Sequence, residues 1–266
     1  MNTQPILEIR NLTVGYGNQF GSDFISLDGV SMDVMPGEIF GIVGESGAGK
    51  TTLAMSIIGL SVFSDAFVGC DSMRFKGRDI LHADREEMRR IRGKEIASVF
   101  QNASSSMNPV MRVLDQVAEM FAIHDGLNRR DSLEKAYVAL ENAGIPRDRA
   151  KGYPHAFSGG MLQRAMIASA VACRPSLLIA DEPTASLDTV WQSRILDMIL
   201  NLRDETGMSV VFISHDLRAV ASICDRVAVM HSGKIVETAD ARSLFSNPHH
   251  SYTMDQLSGV SEIFRI

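Results

Sequence analysis

A lysine and a threonine close a glycine-rich run, GESGAGKT, at residues 44–51. Gly44, Glu45, Ser46, Gly47, Ala48, Gly49, Lys50 and Thr51 satisfy the pattern G-x-x-x-x-G-K-[ST] in full, and Thr52 follows. Glycines let the backbone curl so that successive N–H groups point at phosphate oxygens. A helix starting at the lysine adds the partial positive charge of its N-terminus. Lys50 is then placed for the β- and γ-phosphates of a nucleotide and Thr51 for Mg²⁺. A plain glycine-rich strand–helix turn shares the composition, but not the full pattern with a strand before it and a helix after it.

The second stretch with chemistry is LLIADE, residues 177–182. Four apolar residues read as a buried strand with Asp181 at its carboxyl end, where a carboxylate can hold the Mg²⁺ shell. Glu182, directly after it, can orient and deprotonate a water facing the γ-phosphate. An acid pair ending a surface strand is the bland alternative, disfavoured once a phosphate loop is present in the same chain.

The third is FSGGM, residues 157–161, just ahead of the helical segment MLQRAMIASAVA. Ser158 can cap that helix, and Gly159 and Gly160 leave backbone N–H groups bare. Alone, the turn is an N-cap; its geometry also suits a phosphate.

The elements that must position these groups are legible by period. ILEIRNLTVGY (6–16) and ISLDGVSMDVM (25–35) alternate and predict an antiparallel strand pair, closed by Pro36-Gly37. EIFGIVG, ASVF, LLIA and SVVFIS predict short buried strands, and Lys50 to Leu60 a helix. Val113, Leu114, Val117, Met120 and Phe121, then Leu133, Ala136, Tyr137 and Leu140, recur at helical spacing. With no strand pattern between about Asn108 and Arg174, this reads as an all-helical insert in an α/β core. Ile195, Leu196, Ile199 and Leu202 mark a later helix, and RVAVMHSGKIVET (226–238) a hairpin turning at Ser232-Gly233.

Bulk composition excludes several classes. The 266 residues are 45% apolar and 22% charged, as in an ordinary globular protein, with net charge −6. No broad basic face for nucleic acid is present, and REEMRRIRGK (85–94) mixes both signs like a solvated helix face. The three cysteines have no metal or disulfide spacing, which fits a reducing compartment. No signal peptide and no run of 18 apolar residues is found, so any membrane role is expected to come through a partner.

Taken in order, the phosphate loop, Gln101, Ser158-Gly159-Gly160, Asp181-Glu182, Asp188 and His215 resemble the ATP-binding cassette (ABC) family over nearly the whole chain. The resemblance implies a P-loop α/β core with an N-terminal antiparallel β subdomain and an inserted helical subdomain. It implies a single ABC ATPase domain over 1–266, with core at 1–107 and 175–240, the helical subdomain at about 108–174 and a tail at 241–266. It implies ATP and Mg²⁺ as cofactors, with Thr51, Gln101 and Asp181 at the metal, Glu182 as base, Gln101 on the attacking water and His215 at the γ-phosphate. Tyr16 resembles the aromatic that stacks on adenine, with a core-facing strand tyrosine as the alternative. The Ser-Gly-Gly turn resembles the signature motif, which meets ATP held by a second cassette across a two-fold axis. Asp188 resembles the aspartate at that seam. Phe157 and Met161 depart from the usual leucine and glutamine, and Ala185-Ser186 inverts the usual order.

Residues 91–113 and 159–188, with the tail LFSNPHHSYTMDQL (244–257), resemble the oligopeptide, dipeptide and nickel importer branch. Asn102-Ala103 departs from the usual Asp-Pro, and His250-Ser251-Tyr252-Thr253 from His-Pro-Tyr-Thr. The branch's longer cysteine-bearing extension is absent here, so an iron–sulfur site is not expected. The resemblance implies an ATPase subunit of an importer of peptides or nickel and other metal complexes. It would sit peripherally on the cytoplasmic face of the inner membrane, paired with an identical or paralogous ATPase and docked on permease subunits. A solute-binding protein would take part indirectly, and no nucleic acid is expected. A soluble cassette acting on nucleic acid or ribosomes is the alternative, and calls for tandem cassettes, coiled-coil arms or basic stripes. A P-loop kinase would leave the Ser-Gly-Gly turn and Asp181-Glu182 without a role.

Overall fold

The computed structural model describes residues 4–17, 24–60, 66–100, 106–185 and 187–258. Contacts divide the chain into two compact units, Met1–Arg89 with Ser209–Ile266, and Arg90–Met208.

The first unit begins with an antiparallel sheet. Strand β1 (Leu7–Tyr16) pairs with β2 (Phe24–Val34). Leu7, Ile9, Leu12 and Val14 of β1 are fully buried. The inward phase slips by one residue between Ile9 and Leu12, and the backbone absorbs it as an irregularity at Asn11, whose φ is 54°. Beyond a turn at Pro36-Gly37 lies β3 (Ile39–Val43), buried at every position, and then the phosphate loop and helix α1 (Lys50–Ile57). Strands β4 (Ala66–Gly69) and β5 (Ser72–Phe75) both pair with β1, and β6 (Arg78–Asp79) extends β5. Helix α2 (Arg85–Ile91) spans the boundary between the units, with Met88 and Ile91 inward and its arginines and glutamates exposed.

The second unit opens with β7 (Ile96–Val99). Helices α3 (Val113–Asp125), α4 (Arg129–Asn142) and α5 (Arg147–Ala150), a 3₁₀ turn at Pro154–Ala156, and α6 (Gly159–Val171) follow. The chain then returns through β8 (Leu177–Asp181), which runs parallel to β7, and ends the unit in α7 (Thr189–Thr206). Asn128 caps α4 by accepting the Asp131 N–H. The buried stripe of α4 is Ser132, Ala136 and Leu140, four residues apart, so Leu133 and Tyr137 of the sequence pattern lie at its half-buried flank. Ser132 is tolerated inside because its hydroxyl donates to Leu127 O at 3.3 Å.

The chain re-enters the first unit at β9 (Ser209–Ile213), then α8 (Leu217–Ile223), β10 (Arg226–His231), β11 (Lys234–Asp240), α9 (Ala241–Ser246) and α10 (Ser251–Ser258). Strand β3 lies between β9 and β10 and is parallel to both, while β11 pairs antiparallel with β10. Continuous burial along β3 and β9 is the mark of parallel strands covered on both faces. Ser232 (φ 48°) and Gly233 (φ 79°) make the turn between β10 and β11. No described helix is long and apolar enough to cross a membrane.

Candidate functional site

The loop between β3 and α1 is shaped by its glycines. Gly49, the N-cap of α1, has φ 100° and ψ 2°, and a Cβ there would lie 2.6 Å from Ser26 O. A Cβ on Gly44 would collide with Met230 O. Residue types with side chains are therefore excluded where the loop leaves and rejoins regular structure. Within the loop, Ala48 N–H donates to Glu45 O at 3.2 Å, and the Lys50 ammonium donates to Gly44 O at 2.7 Å and Glu45 O at 2.8 Å. From outside, Gly233 N–H donates to Ala48 O at 3.2 Å, and the Ser26 and Thr52 hydroxyls bond at 2.8 Å. Helix α1 starts with no side-chain cap and no acidic residue in its first turn, which suits an N-terminus facing an anion.

The same unit carries Tyr16, half-buried at the end of β1 opposite Phe24, and His215, exposed just past β9. Ser214 N–H donates to Ile42 O at 3.2 Å, so the His215 segment and the phosphate loop leave the same carboxyl edge of the parallel strands. Open parallel sheets bind ligands along that edge.

In the second unit, β8 delivers Asp181, 2% exposed, and Glu182, 8% exposed. Glu182 holds φ 53°, a left-handed backbone that costs a non-glycine residue about 1–3 kcal/mol and persists where surroundings enforce it. Asp188 caps α7 by accepting the Val190 and Trp191 N–H groups at 3.1 and 3.0 Å. Ser158 caps α6 by accepting the Met161 N–H at 3.3 Å, and Ser158 and Gly159 are exposed. The Met161 contact is made by backbone, so methionine serves the cap as well as glutamine would. Phe157, the residue before the cap, is buried.

Two polar residues inside α6 carry no motif in the sequence. Gln163, 1% exposed, donates from Nε2 to Pro183 O at 2.9 Å, which ties the Ser158 turn's helix to the segment just after Glu182. Arg164, 6% exposed, donates from Nη1 to Ala143 O and Gly144 O at 2.9 and 2.8 Å, and its guanidinium lies 3.5 Å over the Trp191 ring. The one sequence signal for them is a Gln-Arg pair inside a helix otherwise built of apolar and small residues. Gln101, Asn102, Ala103 and Ser186 lie outside the described residues.

A phosphate loop at the edge of parallel strands, with an acid pair ending a buried strand elsewhere in the chain, defines a P-loop ATPase of α/β fold. Compared with known proteins, the chain matches the ABC transporter family over residues 27–185. A Brucella melitensis protein that bears the name of a peptide import ATP-binding protein is 42% identical over 270 residues, 99% of this chain and 80% of the relative. The dipeptide transport ATP-binding protein DppD of Escherichia coli K12 is 39% identical over 259 residues, 97% of this chain and 79% of the relative. Among solved structures, the dimeric ATP-binding cassette MJ0796, in a post-hydrolysis state with ADP and Pi, is similar with a TM-score of 0.80. It is 24% identical and covers 89% of this chain and 99% of that one, a likeness of fold. The chain belongs to the ABC transporter family, as an ATP-binding cassette with ATPase activity.

Proposed function

We propose that this chain is the ATPase subunit of a peptide importer, and that its sites are completed by a second cassette. The observation that carries the catalytic part is Glu182: a buried carboxylate in a strained backbone, directly after the strand-ending Asp181. Peptide is preferred over nickel or another metal complex because the Brucella relative is named for peptide import and DppD for dipeptide transport.

In this reading the N–H groups of the phosphate loop and Lys50 bind the β- and γ-phosphates, and Tyr16 stacks on adenine. Glu182 accepts a proton from the attacking water, and His215 contacts the γ-phosphate. The Thr51 hydroxyl and Asp181 carboxylate are hard oxygen donors of the kind Mg²⁺ takes beside phosphate, with Gln101 as a further oxygen ligand. When bound there, Mg²⁺ would supply neutralisation of charge on the phosphate oxygens.

Ser158, Gly159 and Gly160 present a helix N-terminus to the ATP of the second cassette, identical or paralogous, and Asp188 lies at the seam. Ser158 and Gly159 are exposed, as residues awaiting a partner must be. ATP closes the pair, hydrolysis reopens it, and permease subunits receive the motion on the cytoplasmic face of the membrane. A solute-binding protein delivers the peptide to those subunits.

Two measurements test the reading. Glu182→Gln lowers ATP turnover by at least 100-fold with ATP binding retained; turnover near wild type sinks the base assignment. Cells carrying Glu182→Gln lose uptake of a labelled dipeptide or tripeptide. Unchanged peptide uptake with lost nickel uptake would move the solute to the metal class.

A further inference from the structure

The tail helix α10 reaches the phosphate loop. Thr253 and Leu257 are its buried residues, and Tyr252 and Gln256, also four apart, form the adjoining half-buried stripe. The Glu45 N–H donates to the Tyr252 hydroxyl at 3.4 Å, and Gln256 Nε2 donates to Glu45 Oε1 at 2.8 Å. Glu45 is the second residue of the loop, and its carbonyl is one of the two that hold Lys50. The Tyr252 ring lies 4.0 Å from that of His231, the last residue of β10, next to the Met230 whose carbonyl meets Gly44. At its start the helix is fastened by Glu237 of β11, which accepts the His249 and His250 N–H groups at 2.8 and 3.0 Å.

We propose that α10 is a brace of the phosphate loop, with Tyr252 and Gln256 as positioning residues that set Glu45 and thereby the affinity for ATP. The inference rests on the proposal that this loop binds ATP. Its chemistry is specific. An exposed carboxylate beside a triphosphate repels it, and the neutral Gln256 amide holds the Glu45 carboxylate on the side of the tail. The Tyr252 oxygen occupies the Glu45 N–H and so fixes the first limb of the loop, from which the Gly44 and Glu45 carbonyls orient Lys50.

The test uses the full chain and MgATP titrated by calorimetry, with amide hydrogen exchange at Glu45 measured without nucleotide. Tyr252→Phe raises the ATP dissociation constant about three- to ten-fold, the worth of one hydrogen bond, and speeds Glu45 exchange by a similar factor. Gln256→Glu, on the partly exposed stripe, sets two carboxylates against each other and weakens ATP at least as much. Adding Glu45→Gln to Gln256→Glu restores the amide–carboxylate pair and recovers at least half of the lost affinity in logarithmic terms, which a general loss of stability would not do. Lys50→Ala serves as the control for the loop itself. Affinity within two-fold of wild type for both Tyr252→Phe and Gln256→Glu, with Lys50→Ala abolishing binding, overturns the brace and leaves the nucleotide reading standing. A wild-type chain that binds no ATP overturns both.

Discussion

Two glycines of the phosphate loop make a controlled pair. Gly47 has φ 82° and open space where a methyl group would project, whereas Gly49 has φ 100° with Ser26 O at 2.6 Å and Leu27 Cδ2 at 2.8 Å from that position. Gly47→Ala therefore carries only the left-handed backbone cost, about 1–2 kcal/mol. Gly49→Ala carries that cost and must also displace a backbone carbonyl and a buried leucine, an overpacking worth a further 1–3 kcal/mol or so. The total for Gly49→Ala is then about 2–5 kcal/mol, and the gap between the variants about 1–3 kcal/mol. Equilibrium urea unfolding gives the two free energies, and a MgATP titration of each folded variant gives the functional consequence. The Gly49→Ala chain should bind ATP more weakly than Gly47→Ala, because the displaced Ser26 segment also carries the hydroxyl that holds Thr52. Equal destabilisation by the two substitutions, or a larger effect at Gly47, would refute the claim that contact with Ser26 and Leu27 shapes this loop.

Gln163→Ala removes a buried side-chain donor from Pro183 O, and should cost about 1–3 kcal/mol in urea unfolding together with a several-fold fall in ATP turnover. Turnover at wild-type level would detach Gln163 from the Glu182 segment. Trp191→Ala strips the ring from the buried Arg164 guanidinium and should destabilise by about 2 kcal/mol, with Trp191→Phe recovering part of it. The Glu237 carboxyl is pulled both ways: burial raises its pKa, but the Thr253 hydroxyl beside it and the donating N–H groups of His250 and His249 lower it more, to below the ordinary 4.5. A group with a depressed folded pKa stabilises the fold above its ordinary value and loses that contribution as pH falls through the folded value. The tail segment 249–258 should therefore gain hydrogen-exchange lability below pH 4.5 (after correction for intrinsic rates), and Glu237→Gln should abolish that step.

Much of this was legible because the chemistry is local in sequence. The phosphate loop needs its glycines within a few residues of its lysine, and it follows a short apolar run that reads as a buried strand. Apolar runs such as LLIA and SVVFI read as buried strands because parallel strands are covered on both faces. Other features were hidden for physical reasons. In β1 the alternation slips at Asn11, and only the paired strand shows the irregularity that keeps Leu7, Ile9, Leu12 and Val14 on one face. In α6, residues from Leu162 through Ala168 are all buried, so no amphipathic stripe marks Gln163 and Arg164 as inward and bonded. The contact between Gln256 and Glu45 joins residues 211 apart and depends on where the last helix docks, which no local pattern encodes. Ser158 reads as an N-cap in sequence and in structure alike, and only the role proposed for it toward a partner's nucleotide sets it apart from any other cap.

The central claim is that this turn acts on ATP held by another cassette. The most direct measurement is ATP turnover of the importer complex purified from membranes with Ser158→Arg in this chain, set beside ATP binding by the same variant in isolation. The account predicts binding within two-fold of wild type and turnover reduced at least ten-fold. Turnover equal to wild type, or ATP binding lost in the isolated chain, would contradict it.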